Sequence, residues 1–167
     1  MPFKNAAPFV AETVDSILAQ TTGEWELVAV NDHSADDSMA ILQRYAERDG
    51  RIRAMDNIGD GICAALGLAL AKSTGGLVTR MDADDVMVPT KLARMAELMQ
   101  RSSADRTVVV GLVRYFCASG PVAGGYQRYA QWLNDLSTKE ANFTGGSLSL
   151  CVHQWPSLCS TMARGLK

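Results

Sequence analysis

The chain has 167 residues, is 47% hydrophobic and 20% charged, and carries a formal net charge of -2. This suggests a single domain of ordinary globular composition. The charge gives no drive toward nucleic acid or an anionic membrane, and no apolar run reaches the roughly 18 residues of a membrane helix.

Glu12 and Asp15 fall where a signal peptide would be apolar. A cytoplasmic location is therefore expected, or one peripheral to the inner face of the membrane. Cys63, Cys117, Cys151 and Cys159 show no CxxC spacing, which fits free thiols in a reducing compartment.

In chain order, Phe9, Val10, Val14, Ile17 and Leu18 fall on one helical face, and Thr21-Thr22-Gly23 ends that helix near Gln20. Trp25 to Val30 predicts a strand that stops at Asn31-Asp32-His33-Ser34. Asp36 or Asp37 is placed to cap a second helix carrying Met39, Ile41, Leu42 and Tyr45. Arg51 to Met55 predicts a weaker strand. Ile62 to Ala71 predicts a helix by its alanine and leucine content, ended by Gly75-Gly76. Leu77 to Met81 predicts a strand that runs into Asp82-Ala83-Asp84-Asp85. Pro89 suits the first turn of a helix through about Gln100, and Thr107 to Val113 is the most apolar strand. Beyond Ser119, Tyr126 to Leu136 fits an aromatic-bearing helix, and residues 145–167 show no period.

Strand and helix alternating in this way predict an α/β fold with a mostly parallel sheet flanked by helices. Ligands of such sheets bind beyond the carboxyl ends of the strands. Asn31-Asp32 and Asp82 to Asp85 are both expected at such ends.

Asp82 and Asp84 stand two residues apart, so an extended segment would point both carboxylates the same way. Mg²⁺ or Mn²⁺ would relieve the repulsion of three such carboxylates and bridge to phosphate oxygens. As a Lewis acid it would stabilise a departing diphosphate. A solvated acidic turn capping the next helix is the plainer reading. An EF-hand loop is excluded, because Met87 and Ala93 stand where glycine and glutamate are required. A haloacid-dehalogenase-type phosphohydrolase is a rival on the pattern Asp82-Ala83-Asp84-Asp85-Val86. That family places the pattern after its first strand, and here several elements come first.

As an ordered set, the motifs resemble family 2 glycosyltransferases of GT-A fold. Met1-Pro2-Phe3-Lys4-Asn5-Ala6 resembles the family's opening Pro-x-x-Asn turn, and Asp15 to Thr21 its first helix ending. Glu26 to Ser34 resembles its strand and acidic turn, with His33 where glycine is usual. Ser38 to Tyr45 and Asp49 to Ile52 continue the likeness, and Leu77 to Asp85 with Pro89 and Leu92 resembles its Asp-x-Asp strand end. The resemblance covers about residues 1–115 as a nucleotide-sugar-binding core and leaves 116–167 as a partial or atypical acceptor-side segment.

The resemblance implies that Pro2, Phe3 and Asn5 line a nucleotide pocket, and that Asp32 accepts a hydrogen bond from the base, typically uracil. Asp82 would sit near the ribose and the metal, Asp84 would be the main ligand of Mn²⁺ or Mg²⁺, and Asp85 would orient diphosphate or acceptor. The implied reaction moves a hexose from a nucleotide sugar, usually UDP-linked, to a hydroxyl of a glycan, lipid or other acceptor, with inversion. Plainer readings stand beside these: Asp32 as a cap of the helix near Asp36, Phe3 as core, His33 and His153 as surface residues, and Asn142-Phe143-Thr144 as a sequon without use in a cytoplasmic chain.

Three departures from the family pattern set further expectations. Met1 holds the last place of an apolar strand that the family has before its first turn. In the order 3-2-1-4 that strand is central, so loss of pairing there would cost about 1–3 kcal/mol per group unless another segment fills the gap or the chain starts upstream. Ala65, Leu66 and Gly67 replace the asparagine or arginine that often helps with pyrophosphate. Beyond residue 120 the only acids are Asp135 and Glu140, which form no acidic pair to serve as base. A truncated chain, or a catalytically silent nucleotide-binding remnant, is the expectation that follows.

Overall fold

The computed structural model describes residues 1–101, 108–117, 120–139 and 161–164, with backbone alone for 136–139 and 161–164. Cys151, Cys159, His153, Glu140 and the sequon at Asn142 lie outside the described residues.

The order is β1 (Pro2–Phe3), α1 (Val10–Leu18), β2 (Leu27–Asn31), α2 (Ser38–Arg48), β3 (Ile52–Asp56), α3 (Gly61–Lys72), β4 (Leu77–Thr79), α4 (Lys91–Arg101), β5 (Val108–Val110), α5 (Gly124–Lys139) and β6 (Thr161–Arg164). β1, β2 and β3 form a parallel sheet in that spatial order, with Pro2 opposite Val30 and Leu27 opposite Ile52. A second sheet has the order β4-β6-β5, in which β6 runs antiparallel to both neighbours. β6 comes from the aperiodic tail, where no strand was expected.

β2 shows why the first sheet is covered on both faces. Its side chains alternate, as a strand requires. Leu27 and Ala29 enter a core with Val10, Val14, Ile17, Leu42, Ile52 and Met99, whereas Val28 and Val30 pack against Ala65 and Ala69 of α3. α1 and α2 thus lie on one face and α3 on the other. α4 adds Leu92, Met95 and Met99 from one stripe of its surface.

The gap expected at β1 is not seen on its β2 side. The Met1 amine donates to the Val28 carbonyl at 2.7 Å, Val30 donates to Met1 at 2.8 Å and Asp32 to Phe3 at 2.8 Å. One other boundary differs from expectation, and one is decided between two candidates. Pro89 precedes α4 instead of opening it, because its carbonyl accepts the Thr21 amide at 2.9 Å. Asp36, and not Asp37, serves the start of α2: its carboxylate accepts the Ser38 amide at 3.1 Å and the Ala7 amide at 3.0 Å.

Glu26 latches the entry of β2 to the turn before β4. It accepts the Thr74 and Gly75 amides, the Thr74 hydroxyl and the Arg53 guanidinium. Burial alone would raise its pKa, but these donors outweigh burial and hold it at about 2. A folded pKa below the ordinary 4.5 means the stabilisation is present above about pH 4.5 and lost as pH falls toward 2. Its side chain is 25% exposed, so solvent screening limits the gain to about 1 kcal/mol. Glu26→Gln is expected to lower the melting temperature at pH 7 by about 2–4 °C and to flatten the acid limb of stability. Superimposable acid profiles for the two proteins would refute this.

Candidate functional site

The connections after β1, β2 and β3 lie at the carboxyl ends of the parallel sheet, and the segment after β4 is held to α1, where Thr13 donates to the Ala83 carbonyl. The first two are joined by hydrogen bonds. Asn5, with φ of 51°, accepts the Ala35 amide through its side chain at 2.8 Å, and its own amide donates to the Ser34 hydroxyl at 3.0 Å. Ala6 donates to the Ser38 hydroxyl at 2.7 Å. The Asn5 side chain is therefore a clasp between loops. Phe3 is 3% exposed and lies in the core, and Pro2 is buried in β1.

Asp32 sits at the carboxyl end of β2. Its Oδ1 accepts Asn57 Nδ2 and the Gly61 amide, each at 2.9 Å, and its Oδ2 lies 3.6 Å from Lys4 Nζ. The Asn57 amide hydrogen bond, the Gly61 N–H and the charges of Lys4 and His33 together hold its carboxyl below the usual range, against the opposing effect of burial. The capping alternative is corrected here: Asp32 caps the start of α3, while Asp36 serves α2. This follows from parallel pairing, which sets the end of β2 beside the end of β3, where the Asn57 amide bonds the Asn31 carbonyl at 2.8 Å.

Gly61 makes this capping possible. Its φ is +83°, where a Cβ meets no neighbouring atom but strains its own backbone. Gly61→Ala is expected to cost about 1–2 kcal/mol from that strain alone, measured as a shift in denaturant midpoint. An unchanged midpoint would show that the turn relaxes freely.

The acidic segment departs from the extended geometry expected of it. β4 ends at Thr79, and residues 83–84 form a turn closed by the Asp85 amide on the Asp82 carbonyl at 3.3 Å. Ala83, between the acids, is buried among core side chains, and the charge of Asp82 reaches both Asp84 and Asp85. Asp82 is paired with Arg80, through Nε at 3.0 Å and Nη2 at 3.1 Å. Asp84 is pushed up by burial and by the charge of Asp82. Asp85 is pushed up to about 6, by burial first and then by Asp82 and Asp84. Both carboxyls thus lie where a positive charge would be favourable.

Among the described residues, no three histidine, cysteine or acidic side chains converge on one metal position. The donor set fits a hard divalent cation that takes one or two carboxylates and completes its shell with phosphate and water, which is the habit of Mg²⁺ in nucleotide sites. It does not fit a closed protein cage. Ala65, in the helix that lacks the family's polar residue, is fully buried against β2, so α3 meets the sheet with small apolar side chains at that point.

Lys4, Asn57, Gly61 and Arg80 were missed by sequence reasoning, although each contacts a residue that it singled out. Arg80, two residues before Asp82, carried the only local signal.

A profile described as glycosyl transferase family 2 matches residues 1–161. The chain belongs to that family. Among its relatives, the uncharacterized glycosyltransferase EpsJ of Bacillus subtilis is 31% identical over 105 residues, covering 63% of this chain and 30% of EpsJ. Glycosyltransferase GlyG of Streptococcus pneumoniae is 29% identical over 113 residues, covering 66% of this chain and 36% of GlyG. The chain thus spans about a third of these relatives' length. Among solved structures, the mannosyltransferase PcManGT of Pyrobaculum calidifontis, in complex with GDP-Man and Mn²⁺, is 26% identical with a TM-score of 0.56, over 63% of this chain and 32% of that one. TarS residues 1–349 of Staphylococcus aureus, in complex with UDP, shares the fold with a TM-score of 0.56 at 22% identity, over the same 63% and 32%. Family membership and the GT-A fold agree with the resemblance drawn from the motifs. They leave no support for the phosphohydrolase reading, since the acidic turn follows the fourth strand. Among the described residues no helix is long and apolar enough to cross a membrane.

Proposed function

We propose that this family 2 domain binds a nucleotide-diphosphate sugar, UDP-linked in the first instance, and transfers the sugar to an acceptor hydroxyl with inversion. The observation that carries the reading is the pair of acidic sites. Asp32 is hydrogen-bonded at the end of β2 with Lys4 beside it, and the turn after β4 bears Asp84 and Asp85, whose carboxyls burial and neighbouring acids push up.

Asp32 would meet the base, with Pro2, Phe3 and Asn5 shaping the pocket through backbone and loop position. Asp84, with Asp82, would hold Mn²⁺ or Mg²⁺, which when bound neutralises charge on the diphosphate. Arg80 would keep Asp82 oriented. Asp85 would orient the diphosphate or the acceptor. The acceptor oxygen attacks the anomeric carbon as the bond from that carbon to the diphosphate oxygen breaks, and the acceptor proton passes to a base on the acceptor side. Residues 1–115 would form the donor half, and 116–167 part of the acceptor side. The acceptor would be a glycan, a lipid or another hydroxyl compound, met in the cytoplasm or at the inner membrane face.

A binding-only remnant is the second reading, in which residues 1–115 hold the nucleotide and the acids of residues 121–140, Asp135 and Glu140, are not adjacent in the sequence. Titration calorimetry with UDP, GDP and UDP-sugars, with Mn²⁺ and with EDTA, tests both readings. Metal-dependent UDP binding supports the site. Binding of UDP indifferent to metal, or none, sinks it. Release or transfer of the sugar then separates enzyme from remnant.

A further inference from the structure

α1 and the residue pair after it carry a polar row that touches residues 83–92. Thr13 and Ser16 stand three apart in α1, and Gln20 follows four residues on, just past its end. Thr13 Oγ1 donates to the Ala83 carbonyl at 2.8 Å. Ser16 Oγ accepts the Met87 amide at 3.0 Å and donates to the Thr13 carbonyl at 2.7 Å. Gln20 Nε2 donates to the Val88 carbonyl at 2.9 Å, and Gln20 Oε1 accepts the Leu92 amide at 3.0 Å. The Thr21 amide adds its bond to Pro89.

Residues 83–92 belong to no sheet, and α4 begins only at Lys91. Their backbone groups need partners from elsewhere, because a buried polar group without one is costly. Thr13 and Gln20 are themselves 1% and 8% exposed, so neither has water as an alternative. Ala83, Met87 and Leu92 enter the core between these bonds, which pins the segment from its apolar side as well.

Building on the proposed function, we infer that Thr13, Ser16 and Gln20 are positioning residues: they template residues 83–92 from α1 and its end, and thereby set Asp84 and Asp85 for the cation and diphosphate. None of the three would touch the ligand. They act through backbone hydrogen bonds, and outer contacts of this kind alter metal affinity by about 10–100-fold when removed.

The test uses the full chain and Thr13→Val, Ser16→Ala, Gln20→Met and the conservative Thr13→Ser. Two readings are taken on each: amide hydrogen exchange and Mn²⁺-dependent UDP binding. In Ser16→Ala and Gln20→Met, the Met87 and Leu92 amides are expected to exchange at least about tenfold faster, while those of β2 and β3 stay protected. The dissociation constant for UDP with Mn²⁺ is expected to rise about tenfold, and Thr13→Ser to restore what Thr13→Val loses. Ser16→Ala removes the least volume and keeps the test open if Gln20→Met folds poorly. Unchanged affinity in variants whose segment has loosened overturns the inference alone. Unchanged exchange at Met87 and Leu92 overturns it too. A wild-type chain that binds no UDP with Mn²⁺ overturns the underlying site and this inference with it.

Discussion

Asp84→Ala is expected to weaken Mn²⁺-dependent UDP binding by at least about 100-fold, or roughly 2.7 kcal/mol, measured by titration calorimetry. The expectation follows from the environment of the acidic turn. Asp82 already has the Arg80 guanidinium as counter-charge, whereas Asp84 is raised in pKa by burial and by Asp82. Of the two proposed ligands, Asp84 is therefore the one whose negative charge most needs a cation. The same reasoning fixes a sign for the ligand-free protein. A carboxylate whose pKa is raised on folding opposes folding where it is ionised, so its removal should leave the apo protein equally stable or more stable at pH 7. A variant that melts early and binds poorly would indicate a structural defect. One that binds as well as the parent would remove Asp84 from the site.

Leu42→Ala is expected to cost about 3 kcal/mol, within the range seen for fully buried leucines. Leu42 is 0% exposed and lies where α2 meets α1 and the sheet, packed with Val10, Val14, Ile52 and Met99. Truncation removes apolar contact and leaves a void that rigid neighbours close only in part. Denaturant unfolding measures the cost. Leu98→Ala is the control: Leu98 is 50% exposed, and a surface change of that kind falls within about 0.5 kcal/mol. Equal costs for the two would mean that α2 does not seal the core.

Much of the architecture was readable because it rests on periodicity. The stripe of Val10, Val14 and Ile17, and the run from Leu27 to Asn31, declare their elements locally. β6 was not readable: Thr161–Arg164 is short, and it is a strand because β4 and β5 flank it. At the site, the sequence pointed to Asp32 and the acidic run but misjudged their settings. Whether Asp32 capped α2 or α3 depends on which strand ends lie side by side. Whether residues 82–84 stay extended depends on where β4 ends, and they turn instead. Such facts arise from contacts between residues far apart in the chain. The polar row along α1 and just past its end escaped for a related reason. Thr13, Ser16 and Gln20 look like the wet side of an amphipathic helix until a second segment is laid across them.

The two sheets also differ in how soon they can form. Pairing among β1, β2 and β3 involves only the first third of the chain, with one helix in each crossover. β4 and β5 must await β6, so Leu77 meets its partner only when Arg164 has been made. Closing so long a loop precedes any reward from the contacts it brings, which slows folding. During synthesis the parallel half can therefore assemble first. The bonds from α1 to residues 83–92 would then moor the acidic turn before the antiparallel half exists, and the folding nucleus would already contain the cradle of the proposed site.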